Sequence, residues 1–182
     1  MEDSLMSIIG ILVAAIIMFI VPLILIADRN DDISQLVVQT TTADFVNEII
    51  KSGKITASDY QRFVRSLQSS GNTYDIDMEV KILDETPSKL ITDDTGQIGS
   101  NSYYSLFTSQ VEDKIGISSQ NVINNADGKL ILKQGDQISV TVKNNSKTLS
   151  QALKSFYYNA TGGDLHIIAA TSSGTIAING TT

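Results

Sequence analysis

From Ser4 to Ala27 the chain runs without a single charged residue, and most of the positions are Ile, Leu, Val, Ala, Met or Phe. As an α-helix such a run rises about 36 Å, enough to cross a hydrocarbon layer of about 30 Å. It is too long for the apolar region of a cleaved secretory signal, and it has neither a basic leading segment nor a clear small-residue cleavage pattern. A buried core helix would keep its apolar residues to one stripe, whereas here they occupy every face. The segment is therefore expected to reside in a membrane or in the core of a filament.

The flank of this run is unusual. Met1, Glu2, Asp3 and Ser4 carry no basic group. Acidic residues suit a helix N-terminus, where the macrodipole is positive. They suit a cytoplasmic flank poorly, because that side of a membrane helix is normally rich in Lys and Arg. One explanation is a basic leader removed just before Met1; the other is an ordinary anchor with a weak topology signal. Pro22 lies inside the run. It lacks an N–H, and its ring crowds the carbonyl of Met18, so a kink or locally melted turn is expected between Met18 and Pro22. Prolines are also tolerated in membrane helices, so position alone decides little.

The helical pattern continues beyond Asp28, Arg29, Asn30, Asp31 and Asp32. Apolar or small residues return at Ile33, Leu36, Val37, Thr40, Ala43, Val46 and Ile50, spaced by threes and fours, and Gly53 reads as a C-terminal stop. One helix from about Ser4 to Ser52 would be roughly 70 Å long. Its first half, residues 1–28, would protrude. Its amphipathic second half, 29–53, would pack on a head formed by 54–182.

The rest reads as α+β. Thr56 to Asp59, or Ser58 to Gln61, is an N-cap signal for a helix that aligns Tyr60, Phe63, Val64 and Leu67 and stops at Gly71. Tyr74, Ile76, Met78, Val80 and Ile82 alternate with polar residues, as a strand with one buried face requires. Residues 84–101 read as a surface loop, and Tyr104–Lys114 as a short helix. Leu130–Leu132, a turn at Gly135-Asp136 and Ile138, Val140 and Val142 read as a hairpin. Thr148 and Gln151 form a capping-box pattern that opens a helix through Tyr158. Leu165–Ala170, a turn at Ser172-Ser173-Gly174 and Thr175–Ile178 read as a second hairpin. The expected head is an antiparallel sheet packed on helices.

Composition excludes several functions. The formal net charge is -7, and the 13 basic residues are scattered, so nucleic acid is not an expected partner. There is no cysteine, hence no disulfide, thiolate nucleophile or thiolate metal centre. His166 is the only histidine and sits in a strand pattern, and no phosphate loop or nucleophile elbow occurs. Asp75, Asp77 and Glu79 share the solvent face of one strand, and Asp31-Asp32 and Asp93-Asp94 are isolated pairs. Calcium needs six to eight converging oxygens, so these read as solvated carboxylates. Asn144, Asn159 and Asn179 open N-x-Ser/Thr triplets, a pattern frequent by chance in so Ser/Thr/Asn-rich a chain. No catalytic, cofactor or metal site is expected, and the chain does not read as an enzyme.

An apolar N-terminal helix with Pro22, running on into an amphipathic half and an α+β head, resembles the type IV pilins. Phe45 to Tyr60, Ser70 to Ile76 and Gly135 to Lys143 are similar to pilin-like proteins of tight-adherence-type systems in Gram-positive bacteria. The resemblance implies an extracellular filament subunit, held in the cell membrane before assembly and adhesive once on the surface. It implies copies of itself, a prepilin peptidase, an assembly ATPase and a platform protein as partners. Members of the family carry a glutamate at the fifth mature position to pair with a neighbour's terminal amine. This chain has Leu5 there, and Glu2 and Asp3 are the nearby carboxylates. Either takes that role in a shifted register, or the contact is missing. Met1, Glu2, Asp3 and Pro22 are thus the candidate assembly residues. A monomeric, membrane-anchored binding domain, a sensor or adhesin, is the alternative.

Overall fold

In a computed structural model, residues 2–83, 103–117, 128–149, 151, 152, 154, 155 and 167–181 are described, the side chains of residues 2 and 3 excepted. The fold is α+β. Helix α1, Glu2–Ser52, is a single helix of 51 residues. After it come strand β1 (Lys54–Thr56), helix α2 (Ala57–Gln68), strands β2 (Tyr74–Leu83) and β3 (Tyr103–Phe107), helix α3 (Thr108–Ile115), and strands β4 (Lys129–Ile131), β5 (Gln137–Asn144) and β6 (Ala169–Thr175). The main sheet is antiparallel in the order β3-β2-β5-β6, and β1 pairs with β4 in a separate two-stranded sheet.

Local chemistry accounts for the element ends. The Thr56 side chain accepts from the Asp59 N–H, capping α2 as the sequence predicts. Gly53 ends α1 at φ 66°, its N–H bonded to the Ile49 carbonyl. That left-handed conformation favours glycine. A Cβ there would also lie 2.5 Å from the Gly180 nitrogen, because the chain after β6 returns across the end of α1.

The core lies between one face of the sheet and the helices. Met78, Val80, Ile138, Val140 and Val142 supply the sheet side. Val38, Phe45, Val46 and Ile49 of α1, Phe63 and Leu67 of α2, and Val111 and Ile115 of α3 supply the other. Phe45 and Phe63 stack 4.3 Å apart and join α1 to α2. Strand β6 lies along α1, and Gly174 lets the Ile50 side chain approach to where a Cβ would be only 2.4 Å from its Cδ1.

Five expectations need correction. The stretch from Tyr104 is not helical throughout: Tyr103–Phe107 is an edge strand paired with β2, and α3 begins at Thr108. Residues 130–132 do not form a hairpin with β5. Although the chain turns at Gly135 (φ 100°), β4 pairs with β1. There is no turn at Ser172-Ser173-Gly174, since β6 passes straight through them, paired to β5 from Ala169 to Thr175. Helix α1 continues through Pro22, so of the kink or melted turn expected between Met18 and Pro22 the melted turn is absent from the isolated chain. Lastly, the face of α1 turned to the head is the expected one only at its end, where Val46 is buried and Ile50 packs against the core. Ile33, Leu36 and Thr40 are exposed, while Ala27, Asp31, Ser34, Val38, Thr42, Phe45, Val46 and Ile49 are buried.

That last difference follows from helix geometry. At about 100° per residue, Ala27, Asp31, Ser34, Thr42, Phe45 and Ile49 all fall within about 40° of Val38. The large residues Phe45, Val46 and Ile49 fix the rotation of the helix, and a continuous helix then carries Asp31 and Ser34 onto the same side. Loop 84–101, the end of the helix opened at Thr148, His166, Asn159 and Asp93-Asp94 lie outside the described residues.

Candidate functional site

The functional feature is the free half of α1 and the collar that fixes it to the head. From Leu5 to Ile26 every described large side chain but the half-buried Ile24 is exposed. The helix contains an 18-residue window of mean hydropathy 3.2, none of it buried. Fully burying a Val, Leu, Ile, Phe or Met side chain is worth about 1.5–3 kcal/mol, so the free half forgoes on the order of tens of kcal/mol in water. That exceeds the whole stability of an ordinary domain, about 5–15 kcal/mol. By length and composition the helix is able to cross a membrane.

The collar begins where the apolar run ends. The Thr148 hydroxyl donates to Asp31 Oδ2 at 2.7 Å, with both residues buried. Thr148 is also the cap of the short helical segment after it. Its Oγ1 accepts from the Gln151 N–H, and its own N–H donates to Gln151 Oε1, each at 3.2 Å. The predicted capping box is thus formed and is used a second time as a clamp on α1. One turn earlier, Lys154 Nζ lies 2.6 Å from Asp28 Oδ1. One turn later, Gln35 Nε2 donates to the Ala169 carbonyl at 2.7 Å and its Oε1 accepts from the Ala169 N–H at 3.0 Å. Asp28, Asp31 and Gln35 are thus each matched by a polar partner from the head, as burial of polar groups demands.

The predicted assembly residues do not converge. Met1 lies outside the described residues; Glu2 and Asp3 occupy the first turn of α1, and Pro22 is exposed 19 residues further on, about 28 Å along the axis. The collar residues Asp28, Asp31, Gln35, Thr148 and Lys154 were not singled out as a site in the sequence. The usable signal was the spacing Ala27, Asp31, Ser34, Val38, Thr42, which places small and hydrogen-bonding residues on the stripe set by Phe45 and Ile49.

Other clusters hold no comparable arrangement. Asp75 accepts from Asn145 Nδ2, while Glu79 accepts from the Ser105 hydroxyl and sits 3.8 Å from Lys81 Nζ. Among the described residues no three His, Asp or Glu side chains are grouped to hold a metal ion. Asn144 Oδ1 accepts from the nearby Ser146 N–H, and Asn179 Oδ1 accepts from the Gln134 N–H 45 residues away, so these two of the three triplet asparagines each hold a backbone N–H. Tyr60 donates to Glu112 Oε1 at 2.7 Å, and burial first, then that hydrogen bond and the nearby carboxylate charge, raise its hydroxyl pKa well above the ordinary phenol value.

A long, free apolar N-terminal helix followed by an antiparallel-sheet head is a pilin-like architecture. Comparison of the chain with protein-family models, with curated proteins and with solved structures finds no match.

Proposed function

We propose that the chain is a structural subunit of an extracellular pilus of the type IV kind, polymerising through the free half of α1. The observation that carries this reading is the continuity of α1: one helix is apolar and uncovered over its first half and clamped into the head over its second. Such a helix can leave a bilayer and be covered by the helices of neighbouring copies without refolding the head. The subunit waits in the cell membrane, with a prepilin peptidase, an assembly ATPase and a platform protein acting on it, and reaches the cell surface by assembly. It performs no chemistry of its own.

Pro22 gives the reading a sharp test. Its residue type removes one helix hydrogen bond near Met18, which provides a soft point where packed helices can stretch to meet neighbours. Pro22→Ala is expected to leave membrane insertion unchanged and to lower the number of surface filaments. The native chain has no cysteine, so Ile16→Cys and Phe19→Cys variants report contact between copies. Oxidised cells should yield ladders of cross-linked subunits. Monomers alone, with no filaments by electron microscopy, would overturn the proposal.

A second reading is supported by an open groove of about 520 Å3 beside α2, lined by Tyr60, Arg65, Gln68, Tyr74 and Glu112 among others. A monomeric, membrane-anchored binding domain would use such a surface. It predicts a permanent anchor and no ladder in the same cross-linking experiment.

A further inference from the structure

The end of the head nearest the free helix carries exposed apolar side chains at a height that the collar defines. Asp31 lies four residues beyond Ala27, about 6 Å along the axis, and Thr148 is bonded to it. Leu149 follows Thr148 and is 66% exposed. Strand β6 climbs beside α1 in the same direction, with Ala169 bonded to Gln35 and Gly174 against Ile50. The ladder with β5 extends below β6, where the Asn144 N–H donates to the Ile168 carbonyl. Ile167, 62% exposed, therefore lies about 7 Å below Ala169, again near the height of Asp31. Arg29 and Lys147 are exposed at the same end.

When residues 4–27 fill a hydrocarbon layer of about 30 Å, the headgroup layer occupies roughly the next 5–8 Å. Leu149 and Ile167 fall within it. Apolar side chains gain there by partial burial, and flanking Lys and Arg extend toward lipid phosphates.

We propose that, before any assembly, the head rests on the bilayer holding its own anchor, with Leu149 and Ile167 seated in the phospholipid headgroup layer. The inference rests on the membrane residence of the free helix, which the filament and anchored-monomer readings share. It adds a fixed orientation of the head, with the Tyr74 end of β2 toward the membrane and its Leu83 end away.

The chain has no tryptophan, so single substitutions make specific reporters. Full-length Leu149→Trp, Ile167→Trp, Phe19→Trp and Tyr104→Trp variants are reconstituted at low density in phosphatidylcholine vesicles, using lipids brominated either near the headgroup or near the bilayer centre. Leu149→Trp and Ile167→Trp should lose most of their emission with the shallow quencher. Phe19→Trp should lose its emission with the deep one. Tyr104→Trp, at the far end of the sheet beside Ile82, should keep its emission with both. Unquenched Leu149→Trp and Ile167→Trp beside a quenched Phe19→Trp would overturn this orientation while leaving the anchor intact. An unquenched Phe19→Trp would overturn the membrane residence and the orientation with it. Emission at 149 and 167 that shifts only as protein density rises would assign the patch to a second copy of the chain and refute the lipid contact.

Discussion

Thr148 donates its hydroxyl proton to the carboxylate of Asp31 across 2.7 Å, although 117 residues separate the two in sequence. The bond lies at the mouth of the head, where α1 passes from solvent-exposed rod to packed core element. Asp31→Ala would leave a buried hydroxyl without its acceptor, at a cost of about 1–3 kcal/mol. Asp31→Asn keeps an acceptor in place and should cost less. Urea unfolding of the full chain in detergent checks the order, and equal losses for both variants would show that the bond contributes little.

Gly53→Ala tests the seal at the other end of the packed half. The substitution places a Cβ at positive φ and within 2.5 Å of the Gly180 nitrogen and 2.7 Å of the Ile178 carbonyl oxygen. Neither contact is a flexible side-chain tip, so backbone must move. A loss on the order of 3 kcal/mol is expected. Unfolding midpoints measure it, and an unchanged midpoint would contradict the close approach of the two backbone segments.

Tyr60 predicts a dependence on alkaline pH. Its folded-state pKa is raised, by burial first and then by Glu112. A raised pKa means that its contribution is intact below the unfolded value, about 10, and is lost as pH climbs above it. The native chain should therefore lose stability above pH about 10 faster than Tyr60→Phe, by up to about 1.4 kcal/mol per pH unit. At neutral pH the variant should be weaker by about 1 kcal/mol for the missing hydrogen bond. Parallel pH slopes for the two proteins would remove Tyr60 from the account.

Removing residues 1–28 should yield a soluble, monomeric α+β head, because the packing stripe from Asp31 to Ile49 remains. The Asp28–Lys154 ion pair goes with the deletion, and a partly exposed pair of this kind is worth about 0–1 kcal/mol. Circular dichroism and size-exclusion chromatography check the result. A disordered product would place the free half within the folding unit.

The long helix, its stop at Gly53, the cap at Thr56 and the alternating strand β2 were all legible because each rests on a local rule of spacing or capping. The pairing of β1 with β4 was not, since three-residue strands have no period to read and their partners lie 75 residues apart, Ile55 opposite Leu130. Strand β6 has the sequence Ala-Ala-Thr-Ser-Ser-Gly-Thr, which reads as a turn by composition. Its small residues instead serve the close approach of Ile50, a fact of tertiary packing. The rotation of α1 was misread for the same kind of reason. Ile33 and Leu36 look like core residues, but Phe45 and Ile49 further along the same helix outvote them. Once the rotation is known, the collar is the set of polar residues carried inward with it.

The Gln35–Ala169 bonds carry a consequence for biosynthesis. Ala169 emerges 134 residues after Gln35, which at about 5–20 residues per second is a delay of roughly 7–27 seconds. Throughout that interval the apolar rod has already been made, while the strand that closes the head around its lower half has not. Synthesis of the rod thus precedes completion of the head by the whole of that interval. A ribosome stalled before residue 169 would hold a chain whose apolar rod is complete and whose lower half of α1 still lacks β6 to pack against.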